Sequence, residues 1–188
     1  MNKHHANLLG TAEWAAYLHG DILPVVTQGM DLGEDLLEIG PGPGAATEWL
    51  RHRVRRLVAV ELEAEGASAL AERFAGTNVE VINGDATALS CPDGSFDTVG
   101  MFTMLHHVPT RQLQDAILGG ALRLLRPGGY LIGSDSLASD RLHHFHEGDT
   151  YNPVDPAGFL PRLQTLGFDE VMITVSERLM FRARKPAA

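Results

Sequence analysis

The chain has 188 residues, which fits one domain at the usual ~100–200 residues each. Its 44% hydrophobic content is enough for one core, and 24 acidic against 15 basic residues give a net charge of −9. A protein that grips a phosphate backbone shows the opposite balance, so nucleic acid is not an expected partner.

The first predicted element spans Thr11–Gly29, as one or two helices. Trp14, Tyr17 and Leu18 share a face, Thr11 is a natural N-cap, and Gly20 a natural stop. Trp14 and Tyr17 are expected to pack in the protein rather than stack on a ligand. From residue 35 the chain alternates strand and helix. Leu36–Ile39 is a strand that runs into Gly40-Pro41-Gly42-Pro43-Gly44. Gly40 and Gly42 permit positive φ and a close ligand, while Pro41 and Pro43 stiffen the loop. Helix Ala45–His52 follows. The basic run Arg51, His52, Arg53, Arg55 and Arg56 at its end is expected to be a solvated C-terminus. Then come strand Leu57–Val60, helix Glu63–Phe74, strand Val79–Ile82 and strand Phe96–Phe102.

Helix Thr110–Leu125 carries an apolar face through Leu113, Ile117, Ala121, Leu124 and Leu125. Arg126-Pro127-Gly128-Gly129 should stop it before strand Tyr130–Gly133. Ser134–Pro153 is long, polar and histidine-containing, and loops of that length are usually functional. Helix Asp155–Leu166 precedes strands Val171–Val175 and Leu179–Arg184. The connection between these two is so short that they must pair antiparallel. The expected architecture is α/β: a doubly wound seven-stranded sheet, mostly parallel, with a C-terminal antiparallel hairpin and N-terminal helices. A single domain over 1–188 is expected, with an extension at 1–34 and the core at 35–184.

Met1–Asn7 lacks the apolar centre of a signal peptide. No run nears the ~20 apolar residues of a membrane span. The single cysteine, Cys91, forms no internal disulfide and suits a reducing compartment. A cytoplasmic location without membrane contact is the expectation.

Open parallel sheets bind ligands beyond the carboxyl ends of their strands. Glu61 ends the second strand, where a carboxylate can accept from both hydroxyls of a ribose; a helix-cap role is the alternative. Asp85, after Gly84, can accept from an adenine amino group, although Asn83-Gly84-Asp85 also suits an Asx turn. Gly40, Gly42 and Ala45 match a dinucleotide spacing too, so a nicotinamide or flavin remains open at this point.

Taken together, these features resemble the class I S-adenosylmethionine-dependent methyltransferases over roughly residues 35–184. The resemblance rests on Glu38-Ile39-Gly40-Pro41-Gly42-Pro43-Gly44, on Val58-Ala59-Val60-Glu61 and on Gly84-Asp85-Ala86. The turn Leu125–Gly129 and Leu166-Gly167-Phe168 before the closing hairpin complete it. It implies a Rossmann-like fold with S-adenosylmethionine as cofactor. Gly40, Pro41 and Gly42 would lie against its methionine and ribose portions, and Glu38 would anchor the loop. Glu61 would take the ribose hydroxyls and Leu62 would pack under the adenine. Gly84, Asp85 and Ala86 would border the adenine, and Phe102 the sulfonium end.

The stretch after the fourth strand, Phe102–His107, lacks the Asn-Pro-Pro-Tyr pattern of base- and glutamine-methylating members. Its Leu-His-His turn resembles that of small-molecule O- and C-methylating members. The resemblance therefore implies a small-molecule acceptor, methylated on oxygen, carbon or nitrogen; a monomer or homodimer is the expected assembly. A hydroxyl acceptor must lose a proton, and His106 or His107 is a candidate base. His143, His144, His146, Glu147 and Asp149 match no established ligand spacing, so no metal is expected. A small nicotinamide-dependent oxidoreductase and a non-catalytic cofactor binder are the rival readings.

Overall fold

Strand β1, Asp35–Ile39, is buried at every position, and its side chains serve two cores. Leu37 and Ile39 point into one apolar cluster and Leu36 into the other. In β2, Arg56–Glu61, Val58 and Val60 join the first cluster while Leu57 and Ala59 join the second. This is the period of two that a sheet covered on both faces imposes. The structure is a computed structural model and describes residues 10–187. The Met1–Asn7 stretch read for a signal peptide lies outside the described residues.

The remaining strands are β3 (Val79–Asn83), β4 (Phe96–Phe102), β5 (Leu125–Ser136), β6 (Asp169–Val175) and β7 (Arg178–Arg184). All seven form one sheet in the order β3-β2-β1-β4-β5-β7-β6. Strands β1 to β5 pair in parallel, and β7 pairs antiparallel with both β5 and β6. The expected hairpin is therefore present, with β7 inserted between β5 and β6. Strand order reverses between β1 and β4, which is where such folds open a ligand crevice.

The helices are α1 (Ala12–Tyr17), α2 (Leu23–Val26), α3 (Ala45–Leu50), α4 (Ala64–Arg73), α5 (Arg111–Leu124), α6 (Asp140–Phe145) and α7 (Pro156–Leu166). Among the described residues no helix is long and apolar enough to cross a membrane. Thr11 caps α1 as expected, its side chain accepting from the Trp14 amide. Gly20 does not stop the helix. It lies within a π-helical turn, Leu18–Ile22, that joins α1 to α2. Leu18, Ile22 and Leu23 are all buried there, and that burial outweighs the ~1 kcal/mol cost of a helical glycine. His19 Nε2 lies 2.7 Å from the Ala45 carbonyl oxygen and ties this turn to α3.

Two expected boundaries also move. Strand β5 starts at Leu125, not Tyr130, because Arg126–Gly129 forms a bulge rather than a separate turn. Phe96 registers with Leu125 and Thr98 with Tyr130. Arg126 holds the bulge through Asp35 at 2.9 Å and Asp97 at 2.6 Å. At its other end β5 continues to Ser136 by pairing with β7, and α6 forms within the stretch expected as one long loop. The basic run is committed to acids and to a ring. Arg51 and His52 meet Glu48, Arg55 meets Glu34 and Asp35, and Arg56 meets Glu80. Arg53 stacks on Trp49.

Candidate active site

A cavity of about 540 Å³ opens at the carboxyl ends of β1 to β4. Glu38, Gly40, Pro41, Gly42, Glu61, Leu62, Gly84, Asp85, Ala86 and Phe102 all line it. One side is closed by Trp14 and Leu18 of the N-terminal helices, and another by Leu113, Ile117, Asp149 and Thr150. Trp14 thus borders the cavity as well as packing against the second core, which the sequence reading did not expect of it.

The loop after β1 is left-handed at Gly42 (φ 52°), where an added Cβ would meet nothing within 4 Å. At Gly44 (φ 85°) a Cβ would instead fall 2.7 Å from both Leu70 and Phe74. The first glycine leaves room on the cavity side, and the second lets α3 close onto α4. Glu61 braces the loop from β2. Its Oε2 accepts from the Gly42 amide at 3.2 Å and its Oε1 from the Glu63 amide at 3.1 Å. Leu62, next to it, is 65% exposed and presents an apolar surface at the cavity edge.

Glu38 is buried and accepts from the Thr47 hydroxyl at 2.6 Å. Burial pushes its carboxyl up to about 7, Thr47 opposes that rise and Glu61 adds to it. Asp85 caps the turn Ala86–Ala88, and its Oδ1 accepts from both the amide and the hydroxyl of Thr87 at 2.8 Å. Those two bonds hold the Asp85 carboxyl below its usual range. The Asx-type cap that the sequence allowed is therefore present. It occupies one oxygen of a carboxylate that offers about four acceptor positions.

The two candidate histidines separate. His107 lines the cavity, whereas His106 is 0% exposed and does not. The Nδ1 of His106 donates to Asp135 on β5, and its ring centroid lies 4.1 Å from that of His107. Burial alone lifts the Asp135 carboxyl, but His106 and Arg178 together hold it below its usual range. Arg178 continues the network. It donates to Thr103 Oγ1 at 2.7 Å and to Ser134 Oγ at 3.2 Å, and its guanidinium lies 5.1 Å from the Trp14 ring centroid. Thr103 sits at φ 60°, an outlier for a β-branched residue that the Arg178 bond and its own amide bond to Ser134 maintain.

Sequence reasoning missed Thr103 and Met104 on the cavity wall, although both follow β4 directly and the strand-end rule reaches them. Asp135 and Ser136 offered another signal, as polar residues in a buried strand. Asp149, named among the loop candidates, does line the cavity together with its neighbour Thr150, whereas for Arg178 no local signal exists. Of the loop histidines, His146 approaches His107, with ring centroids 5.2 Å apart, and His143 and His144 do not join them.

Comparison with known proteins agrees with this geometry. The family described as "Methyltransferase domain" matches residues 37–133. The fatty-acid O-methyltransferase of Mycolicibacterium smegmatis is 31% identical over 106 residues, covering 55% of this chain and 38% of that protein. The ribosomal RNA small subunit methyltransferase A of Geobacter metallireducens is 44% identical over 59 residues, 31% of this chain and 22% of that one. The PH0226 protein of Pyrococcus horikoshii superposes with a TM-score of 0.81 at 17% identity, covering 98% of this chain and all of that one. The chain spans half or less of the length of several curated relatives that it matches. A family match over more than half of the chain, on a sheet of this order, shows that the protein belongs to the class I S-adenosylmethionine-dependent methyltransferases.

Proposed function

We propose that the protein transfers a methyl group from S-adenosylmethionine to a small, largely apolar acceptor. The observation that carries this reading is the charge of the cavity wall. Glu38, Glu61, Glu63, Asp85 and Asp149 line it, and among the described lining residues there is no lysine or arginine. A dinucleotide pyrophosphate or a nucleic-acid backbone would meet carboxylates there, whereas a cationic sulfonium and ammonium are favoured.

The residues present fit the cofactor. Glu61 is positioned for the ribose hydroxyls, Asp85 for the adenine amino group and Leu62 for the adenine face. Gly40, Pro41 and Gly42 leave backbone open along the methionine side, with Glu38 behind them as a counter-charge and Phe102 toward the sulfonium. When bound, the cofactor supplies a methyl group on a positively charged sulfur as the electrophile. The chain has to exclude water and align the acceptor, which is the main source of rate in such a displacement. Trp14, Leu18, Leu113 and Ile117 provide an apolar acceptor wall. His107 is the group placed to accept a proton from a hydroxyl, and His106, held by Asp135, positions that ring. The basic run is already engaged, Arg51, His52, Arg55 and Arg56 by acids and Arg53 by Trp49, which supports a small molecule over ribosomal RNA despite the short match to that class.

Calorimetric titration with S-adenosylhomocysteine and with NADH tests the reading. Binding of the first and not the second is expected, and the reverse result overturns it. Glu61→Ala should weaken S-adenosylhomocysteine by about 1–3 kcal/mol, the scale of lost bonds to a charged group. Unchanged affinity removes Glu61 from the site.

A further inference from the structure

His106 and His107 share one 3₁₀ turn after β4, and His146 ends α6, yet their candidate ligand nitrogens all lie within 4.8 Å of one another. Two bonds orient the rings. His106 Nδ1 donates to the Asp135 carboxylate, and His146 Nδ1 lies 2.6 Å from the Leu142 carbonyl oxygen, which can only accept. In the neutral ring this fixes the proton on Nδ1 and the lone pair on Nε2. A carboxylate or carbonyl behind a histidine in this way is the usual outer support of a metal-binding imidazole.

The rings are also held in place from outside. Tyr151 stacks on His146 with centroids 4.7 Å apart. The Asn152 amide donates to the His106 carbonyl at 2.8 Å, and its side chain donates to Val108 at 3.0 Å. Two segments distant in sequence are thereby pinned so that three imidazoles converge beside the cavity.

We propose that His106, His107 and His146 form a site for a borderline divalent cation of the zinc type, bordering the cavity through His107. Three imidazoles without a thiolate suit zinc, cobalt or nickel. A tetrahedral zinc with 2.0–2.1 Å bonds needs nitrogens about 3.4 Å apart, so nitrogens now within 4.8 Å of one another must close by up to about 1.4 Å. Three protein ligands, counted among the described residues, are the number a tetrahedral zinc uses when water or an acceptor oxygen takes the fourth position. The sequence expectation of no metal rested on the spacing of His143–Asp149, and the cluster that forms draws only His146 from that stretch. A metal-bound His107 has no lone pair to take a proton, so the proton-accepting role given to it above applies to the chain without the ion.

Metal content decides the matter without reference to methyl transfer. The purified full chain is stripped with a chelator, loaded with Zn²⁺ alone, desalted and analysed for zinc. One zinc per chain is expected, and Co²⁺ loaded instead should give the visible absorption of a four-coordinate nitrogen site. His146→Ala and His107→Ala should each abolish retention, while His146→Ala keeps its S-adenosylhomocysteine affinity, which shows that it folds. His143→Ala should retain zinc. Failure of the unsubstituted chain to retain zinc overturns the proposal. Retention that survives both His146→Ala and His107→Ala places the ion elsewhere and overturns it too.

Discussion

Glu38 combines 1% exposure with a carboxyl whose folded pKa is about 7 against an ordinary 4.5. The sign of the consequence follows from which state releases its proton first. Below about pH 4.5 the group is protonated in both states and carries no penalty. Between about 4.5 and 7 the unfolded chain ionises first, so stability falls as pH rises. Above about 7 the whole penalty applies, about 3 kcal/mol for a shift of this size. Glu38→Gln keeps the shape and an acceptor for Thr47 but cannot ionise. Urea unfolding at pH 5 and pH 8 should therefore show Glu38→Gln gaining about 2–3 kcal/mol over the parent as pH rises. A difference that stays flat would show that the buried carboxylate finds compensation this account omits. Such a group makes sense where a cationic ligand is due, because the ligand restores the charge partner that burial removed.

The loop between β1 and α3 shows how one glycine-rich element divides its work. The space beside Gly42 opens on the cavity, whereas Gly44 faces Leu70 on α4 and Phe74 just past its end. Alanine at either position adopts positive φ at a cost near 1 kcal/mol. The two variants should differ beyond that. Gly42→Ala should melt within a few degrees of the parent and lose most of its S-adenosylhomocysteine affinity. Gly44→Ala should lose several degrees of Tm through overpacking, at about 1–3 kcal/mol, and keep affinity in the folded fraction. Equal effects on both measurements would erase the distinction. This element, Glu61 and Asp85 were legible in the sequence because each signal is local: an apolar run, then a residue type suited to a strand end. The N-terminal helices were legible as helices but not in their path, since Gly20 reads as a stop until the burial of Leu18, Ile22 and Leu23 is known. The bulge at Arg126–Gly129 was hidden for a related reason. Its anchors, Asp35 and Asp97, are far away in the chain and reach Arg126 only once the sheet has formed.

Over the whole molecule, the net charge of −9 and the five carboxylates around the cavity act in one direction. They were only partly visible beforehand. Composition gave the sign of the total, but which acids share one cavity depends on strand order, as does the meeting of His146 with the distant pair His106 and His107. The potential in the cavity should discriminate ligands by charge. S-adenosylmethionine carries one net positive charge at neutral pH, S-adenosylhomocysteine none, and a reduced dinucleotide is negative. Salt shortens the range of this attraction from about 10 Å at 0.1 M to about 3 Å at 1 M. Raising salt from about 0.05 to 0.5 M should therefore weaken S-adenosylmethionine by about 3–10-fold and S-adenosylhomocysteine by less than about 2-fold. Titrations of both ligands at the two salt concentrations provide the check. If the two respond equally, the carboxylates hold the cofactor through local hydrogen bonds alone. In that case the acidic wall would no longer argue against a phosphate-bearing ligand, and the acceptor class would have to be argued from the apolar side of Trp14, Leu18, Leu113 and Ile117.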